Sequence, residues 1–193
     1  MANYCVFTGS SKGARPEYMA MAQTLGQTLA SQGHGLVYGG ASIGLMGAVA
    51  DGCLRGGGPV VGVIPKALAG LEIAHEGLTE QHIVSSMHER KALMASRSDG
   101  FIALPGGLGT LDELFEIWTW AQLGEHEKPV ALLNHEGFFD PLLSYLDHVV
   151  EEGFLQAVHR DMLIVERESE ALLRRCEVYK APKIQKLIRE EDL

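Results

Sequence analysis

The sequence has few of the features that mark secreted or membrane-bound proteins. It has 3 cysteines in 193 residues. Cys5, Cys53 and Cys176 are odd in number and too widely spaced for a disulfide framework or a CxxC metal site, so a reducing cytoplasm is expected. No basic region precedes an apolar segment near the first residue, and no apolar run approaches the length of a membrane span. We therefore expect a cytoplasmic protein with no membrane partner.

Positive charge is also scarce. Lys and Arg together number 16 against 25 Asp and Glu, which gives a net charge of −9 at pH 7. Nucleic acids and anionic membranes are bound by basic surfaces, so neither is an expected partner. A small anion remains compatible, because a few local cations override the global field. With 46% apolar and 21% charged residues, the chain is predicted to form one globular domain over residues 1–193, with a charged helical tail from about residue 175.

Several common site signatures are missing. The histidines show no HxH or HExxH spacing, so we predict no metal site. There is no GxxxxGK[ST] phosphate loop and no GxGxxG fingerprint after the first predicted strand, which argues against ATP hydrolysis and against an NAD-linked oxidoreductase. No GxSxG nucleophile elbow is present either.

Apolar runs alternate with helical patterns along almost the whole chain. The patterns predict strands at residues 4–8, 36–38, 60–64, 82–85, 101–104, 130–133 and 162–165, and helices at 16–32, 44–54, 87–98, 111–123 and 139–152. Strands that are apolar on both faces and alternate with helices indicate an α/β fold with a parallel sheet covered on both sides. Ligands of such sheets bind beyond the carboxyl ends of the strands, which directs attention to the loops at residues 9–15, 39–47, 85–91 and 105–113.

The most informative of these loops is PGGLGTLDE, residues 105–113. A glycine-rich turn between a strand and a helix exposes backbone N–H groups at the positive end of the helix dipole, where phosphate binds well. Glu113 then follows one turn into the helix. On spacing alone, Thr110 and Glu113 are best interpreted as a capping box; the alternative interpretation is an acid beside the bound ligand, and the rest of the chain favours it.

Two further loops contain candidate site residues. GGASIGLMG, residues 39–47, is a second glycine-rich turn, although Gly47 is interpreted as a helix-packing residue. In SMHERK, residues 86–91, Ser86 and Glu89 form a predicted capping box. Arg90 and Lys91 lie where the helix dipole disfavours cations, which fits either an anionic ligand between them or a solvated pair.

These three motifs, in this order, resemble the LOG (Lonely Guy) family of phosphoribohydrolases, which act on cytokinin riboside 5′-monophosphates. The resemblance runs from about residue 4 to about residue 154. It implies a Rossmann-like, doubly wound parallel sheet, no metal or redox cofactor, and a homodimer with active sites near the subunit interface. Related sequences have been labelled lysine decarboxylases, but nothing in the chain indicates a lysine set up for pyridoxal phosphate.

The resemblance also assigns roles to residues. Arg90 and Glu113 match the two catalytic positions of the family. The residues expected to contact substrate are Ser10, Gly40, Glu72, Met87, Lys91, Gly106, Gly107, Leu108, Gly109, Thr110, Leu111, Asp112 and Thr119. Leu108 stands where plant members commonly have tyrosine, which changes the pocket wall but leaves the backbone donors in place.

The predicted reaction is hydrolysis of a purine nucleoside 5′-monophosphate to the free base and ribose 5-phosphate, with AMP and N6-isopentenyl-AMP as the leading substrates. A carboxylate near C1′ of the ribose suits the oxocarbenium character that develops when an N-glycosidic bond breaks. The competing interpretation is a nucleotide-binding module without catalysis, for which the same glycines would serve equally well.

Overall fold

A single parallel sheet forms the centre of the molecule, in a computed structural model that describes residues 1–69 and 74–183. Its strands are β1 Asn3–Phe7, β2 Gly35–Tyr38, β3 Val60–Pro65, β4 Glu80–Val84, β5 Gly100–Ala103, β6 Val130–Leu133 and β7 Leu163–Glu166. Each strand predicted from the sequence is present, with ends shifted by at most two residues. All neighbouring strands pair in parallel, and the inner strands are buried on both faces. The predicted parallel α/β architecture is therefore confirmed.

Helices cover both faces of the sheet. They are α1 Glu17–Ser31, α2 Gly44–Arg55, α3 Lys66–Ala69, α4 Met87–Ser96, α5 Leu108–Leu123, α6 Asp140–Glu151, α7 Ala157–Arg160 and α8 Ser169–Glu177, with a 3₁₀ turn at His135–Gly137. The sequence patterns missed α3 and α7 because a single turn is too short to show a helical period. They also missed α8, whose last residues overlap the start of the tail predicted from about residue 175. Residues 178–183 follow α8 without helix, and residues 184–193 of the predicted tail lie outside the described part of the chain.

The order of the strands determines where a ligand can bind. The order is β4-β3-β2-β1-β5-β6-β7, so the chain winds outward from β1 on one side and then resumes on the other side with β5. In doubly wound sheets the ligand crevice lies at the carboxyl ends of the strands, where the winding reverses. Here that point lies between β1 and β5, whose following loops are joined by the Gly9 N–H donating to the Pro105 carbonyl at 3.4 Å.

Alternate side chains of each strand enter two separate apolar layers. Leu36 and Tyr38 of β2 pack with α1, α2 and α8, whereas Val37 faces the opposite layer with α5 and α6. The sheet is thereby covered on both faces, and its carboxyl edge is left to carry the polar residues. Among the residues that the structure describes, no helix is long and apolar enough to cross a membrane.

The first two helices approach each other backbone to backbone. Gly26 of α1 lies against α2 so closely that a Cβ there would be 2.6 Å from the backbone nitrogen of Cys53 and 3.0 Å from the carbonyl carbon of Gly52. Gly52 in turn faces the backbone of Gln23. This close contact fixes the direction of α2, whose N-terminus borders the cavity described below.

Replacing Gly26 with alanine is expected to lower the free energy of unfolding by about 1–2 kcal/mol, because overpacking against backbone exceeds the gain of about 1 kcal/mol from alanine's helix propensity. Urea unfolding measures the change. Gly107→Ala is the matched control, since a Cβ at Gly107 meets nothing within 4 Å. A stability of Gly26→Ala equal to or above that of the wild type would contradict the close approach.

Candidate active site

A cavity of about 640 Å³ lies beyond the carboxyl ends of β1, β2 and β5. All four loops expected to carry the site contribute to it, together with residues from α3 and from the turn after β6. Its polar wall includes Ser10, Ser11, Gly39, Arg90, Gly106, Gly107, Gly109, Thr110, Asp112 and Glu113. The strand order and the motifs therefore point to the same place.

The N-terminus of α5 opens into this cavity without a side-chain cap. Gly107 occupies the N-cap position, and no side chain accepts a hydrogen bond from the first turn. The first N–H groups, those of Leu108, Gly109 and Thr110, have no partner within the helix, as at any α-helix start. Together with the dipole, N–H groups of this kind are chemically suited to an anion such as phosphate.

The capping box that the Thr110–Glu113 spacing alone favoured does not form. The helix begins at Leu108, three residues earlier than the sequence pattern indicated, so Thr110 lies inside the first turn instead of at the N-cap. Its buried side chain packs against Gly106. Glu113 therefore does not cap the helix, and its carboxylate binds a different partner.

That partner is Arg90, the fourth residue of α4. Its Nη1 donates to Oε1 of Glu113 at 3.1 Å, and its Nε donates to the carbonyl of Val63 in β3 at 3.0 Å. Both side chains of the ion pair are only 10% exposed. The interpretation of Arg90 as half of a solvated pair is therefore wrong: the guanidinium reaches away from its own helix N-terminus into the cavity wall.

Burial raises the pKa of the Glu113 carboxyl, and the neighbouring Arg90 guanidinium only partly offsets that rise. Asp112 and Glu116 on the same helix raise this pKa further. A carboxyl whose pKa lies above its ordinary value can exchange protons nearer to neutral pH, which suits a group that assists bond cleavage.

The start of α4 is fixed by a modified form of the predicted capping box, in which Ser86 caps the helix as expected and Glu89 reaches back to Ser85 instead of Ser86. The Ser86 hydroxyl accepts from the Glu89 N–H at 3.1 Å, and the Glu89 carboxylate accepts from the Ser85 N–H at 2.8 Å and from the Ser85 hydroxyl at 2.6 Å. These hydrogen bonds from Ser85 lower the pKa of Glu89. The structural interpretation of Glu89 is confirmed, and the cap sets the position of Arg90 one turn later.

The structure brings most of the residues expected to contact substrate to the cavity, but not all. Ser10, Met87, Gly106, Gly107, Leu108, Gly109, Thr110 and Asp112 line it. Gly40 and Leu111 adjoin these residues without lining the cavity, and Glu72 lies outside the described residues.

Lys91 and Thr119 lie apart from the cavity of their own chain. The Lys91 ammonium is held by the Asp112 and Glu116 carboxylates at 3.0 Å each. Thr119 is exposed on α5, where its hydroxyl donates to the carbonyl of Phe115 at 2.6 Å. Substrate contact by these two residues remains a prediction.

The rim of the cavity is apolar and is formed by Ile43, Leu68, Met87, Leu108 and Phe138. Met87 and Leu108 were expected from the sequence, whereas the other three were missed. Leu108 is 89% exposed and Met87 46% exposed. An apolar residue inside a glycine-rich loop was the available signal for Ile43. Phe138 follows β6, far away in sequence, and only the folded chain brings it here.

The described residues contain no group of three or more His, Cys, Asp and Glu side chains placed to hold a metal ion.

Comparison with known proteins identifies the family. A family model described as "Possible lysine decarboxylase" matches residues 46–176. The probable cytokinin riboside 5′-monophosphate phosphoribohydrolase LOGL1 of Oryza sativa subsp. japonica is 53% identical over 91% of this chain and 78% of its own length. The phosphoribohydrolase LOG3 of Arabidopsis thaliana is 49% identical over 91% of this chain and 81% of its own length. The chain belongs to the LOG family.

Solved structures with the same fold are more distant in sequence. The molybdenum cofactor carrier protein of Chlamydomonas reinhardtii superposes with a TM-score of 0.68 at 20% identity, covering 92% of this chain and 99% of that one. The molybdenum cofactor binding protein of Rippkaea orientalis gives 0.66 at 22% identity, with coverage of 88% and 91%. At such identities the likeness establishes the fold of this LOG protein and nothing about its ligand.

Replacing Arg90 with alanine is expected to lower the free energy of unfolding at neutral pH by about 3–5 kcal/mol, because the Glu113 carboxylate is left buried without a cation. The unpaired carboxyl has a still higher pKa in the folded state, so the folded state binds a proton more readily than the unfolded chain. The variant therefore loses stability as the pH rises through the folded-state pKa of Glu113, and it regains stability as the pH falls below that pKa.

Urea unfolding of Arg90→Ala at neutral and mildly acidic pH tests this expectation, with Arg90→Ala/Glu113→Gln as the matched control. The double variant removes the buried charge and should recover part of the lost stability at neutral pH. Equal losses at both pH values, with no recovery in the double variant, would show that the pair is not electrostatically coupled.

Proposed function

We propose that this protein hydrolyses the N-glycosidic bond of a cytokinin-type nucleoside 5′-monophosphate, releasing the free base and ribose 5-phosphate. The observation that carries the proposal is the buried Arg90–Glu113 pair in the wall of a cavity that also receives the uncapped N-terminus of α5. The names of the Oryza and Arabidopsis relatives describe the same class of reaction. An anion-binding turn and an acid in one cavity are what such a substrate requires.

The 5′-phosphate is assigned to the turn formed by Gly106, Gly107 and Gly109. Glycines allow the phosphate to approach the backbone N–H groups of the first turn of α5 without a Cβ in the way. Neither Gly107 nor Gly109 has any heavy atom within 4 Å of the position a Cβ would take, which leaves room on this side of the turn. Binding energy from the phosphate then holds the scissile bond beside the acid.

Glu113 is assigned the role next to C1′ of the ribose. As the bond from C1′ to the purine nitrogen breaks, its electrons leave with the base and positive charge develops on the ribose ring. The Glu113 carboxylate stabilises this charge and orients the attacking water. The hydroxide of that water is added to C1′, and the remaining proton of the water is taken up by the departing base. Arg90 keeps the carboxylate in place.

The apolar rim supports a base that carries an apolar group on N6. Ile43, Leu68, Met87 and Leu108 are large apolar side chains that are partly or mostly exposed around one opening. Covering them with an alkyl chain removes apolar surface from water, which unsubstituted AMP cannot do. We therefore propose N6-isopentenyl-AMP as the better substrate and AMP as the poorer one.

Lys91 and Thr119 support a homodimer as the working form of the protein. Both match substrate-contacting positions of the family, yet neither lines the cavity of its own chain. Thr119 is exposed on α5, where it can reach the site of a second copy.

A cytoplasmic location is also part of the proposal. The buried free thiols of Cys5, Cys53 and Cys176 are compatible with a reducing compartment.

Product analysis by chromatography tests the reaction, with N6-isopentenyl-AMP and AMP as substrates. Wild type is expected to release free base and ribose 5-phosphate, whereas Glu113→Gln lowers kcat by about 10²–10⁴-fold. Glu116→Gln is the matched control: it makes the same chemical change one turn away, on a residue paired with Lys91. Because burial raises the pKa of Glu113, wild-type activity should decline on the acid side at a higher pH than an ordinary carboxyl would give.

If wild type binds either nucleotide without releasing base, the protein is instead a nucleotide-binding module. Equal losses of activity in Glu113→Gln and Glu116→Gln would remove Glu113 from the reaction.

Mixing two inactive variants tests whether each site is shared between subunits. Glu113→Gln and Thr119→Arg are each expected to be nearly inactive alone. In a mixed dimer with shared sites, one site carries both changes and the other carries neither, so exchange of subunits should restore about a quarter of wild-type activity. Absence of recovery after verified subunit exchange, or a fully active monomer on dilution, would contradict the shared site.

A further inference from the structure

We propose that Gly39 is a positioning residue for the Arg90–Glu113 pair: the absence of a side chain at the end of β2 determines where the Arg90 guanidinium lies. The proposal rests on the function proposed above and adds to it a residue that has no reacting group of its own. Gly39 also lines the cavity.

Arg90 occupies the space that a side chain at position 39 would need. A Cβ built on Gly39 would overlap the Nη2 of Arg90 and would lie 3.1 Å from its Cζ. The guanidinium thus lies directly against the backbone of the turn that follows β2. No other residue type leaves this space open.

The backbone itself does not require glycine at this position. Gly40 and Gly44 in the same turn have φ values of +77° and +58°, a region that favours glycine. Gly39 is not among the glycines with positive φ. The reason for a glycine at 39 is therefore the space it leaves for Arg90, not the conformation of the turn.

Arg90 cannot move aside without losing a hydrogen bond. Its Nε is held by the Val63 carbonyl in β3 and its Nη1 by Glu113 in α5, so the guanidinium is fixed from two directions. The Met46 methyl group would also meet the new Cβ, but a methionine side chain readily adopts another rotamer. The conflict created by a larger residue at 39 consequently falls on Arg90.

Displacing Arg90 alters the charge environment of Glu113. The charged groups that shift the pKa of this carboxyl are Arg90 and Lys91 on α4 and Asp112 and Glu116 on α5. The thiol of Cys5 on β1 also lies near, and Glu113 helps to raise its pKa. Arg90 is the stronger of the two cations that lower its pKa. Moving the guanidinium away therefore raises the pKa of Glu113 and shifts the acid limb of the activity profile to higher pH.

The change at position 39 should affect turnover more than binding. A displacement on the order of 1 Å in a positioning group can lower the rate by about 100-fold. The three heavy atoms nearest to a Cβ at 39 belong to Arg90 and Met46 and not to the glycines at 106, 107 and 109, so we expect the phosphate anchor to be retained. The expected signature of Gly39→Ala is a kcat lowered by about 100-fold, with KM changed by less than about threefold.

The test compares Gly39→Ala in the wild-type background with the same change in Arg90→Ala. Gly39→Ala should lower Tm when Arg90 is present. It should leave Tm equal or higher when Arg90 is absent, because the space is then empty and alanine restricts the unfolded chain. Gly9→Ala is the steric control for Tm, since a Cβ there has its nearest neighbour at 3.4 Å.

Kinetics and pH profiles of Gly39→Ala complete the experiment, with N6-isopentenyl-AMP as the substrate. A lower kcat with a raised acid limb supports the proposal. An unchanged kcat and pH profile, or an equal loss of Tm with and without Arg90, would overturn it. A wild-type protein that releases no base would refute the proposed reaction instead, while the Tm comparison would still decide whether Gly39 makes room for Arg90.

Discussion

The site depends on one buried ion pair, between Arg90 and Glu113. Each charge is almost removed from water, and each is tolerable there only because the other lies 3.1 Å away. Much of the surrounding structure serves to keep this pair together. The Ser86–Glu89 cap fixes the start of α4, the Val63 carbonyl holds the Nε of Arg90, and the early start of α5 frees Glu113 from capping.

The sheet supplies the place where this pair can act. Because the winding reverses between β1 and β5, the ligand crevice lies at the carboxyl ends of these strands, and the turn after β2 forms its third side. One side of the cavity is the uncapped N-terminus of α5, and another is an apolar rim. Glu113 is buried in the wall of this cavity, and its burial is the main cause of its raised pKa. Fold, charge and substrate class are thus connected through one location.

Much of this could be predicted from the residues. Apolar runs located every strand within two residues, since strands of a parallel sheet are buried on both faces and leave a clear record in the sequence. The motifs at residues 86–91 and 105–113 pointed to Arg90, Glu113 and the glycine-rich turn, which the structure brings to one cavity. The Thr110–Glu113 spacing misled, because a capping box and a free acid have the same sequence pattern. The structure distinguishes the two, because α5 begins at Leu108 and Thr110 is therefore not the N-cap residue.

The sequence by itself determined the strands, the longer helices, the glycine turns and the family, because these depend on local periodicity, backbone conformation and short motifs. The tertiary structure alone decided which side chains meet. Arg90 and Glu113 are 23 residues apart, and Phe138 reaches the same cavity from beyond β6. Gly39 is explained only by the guanidinium that lies against it. Such contacts arise from the packing of strands and helices distant in sequence, and no local pattern records which residues that packing brings together.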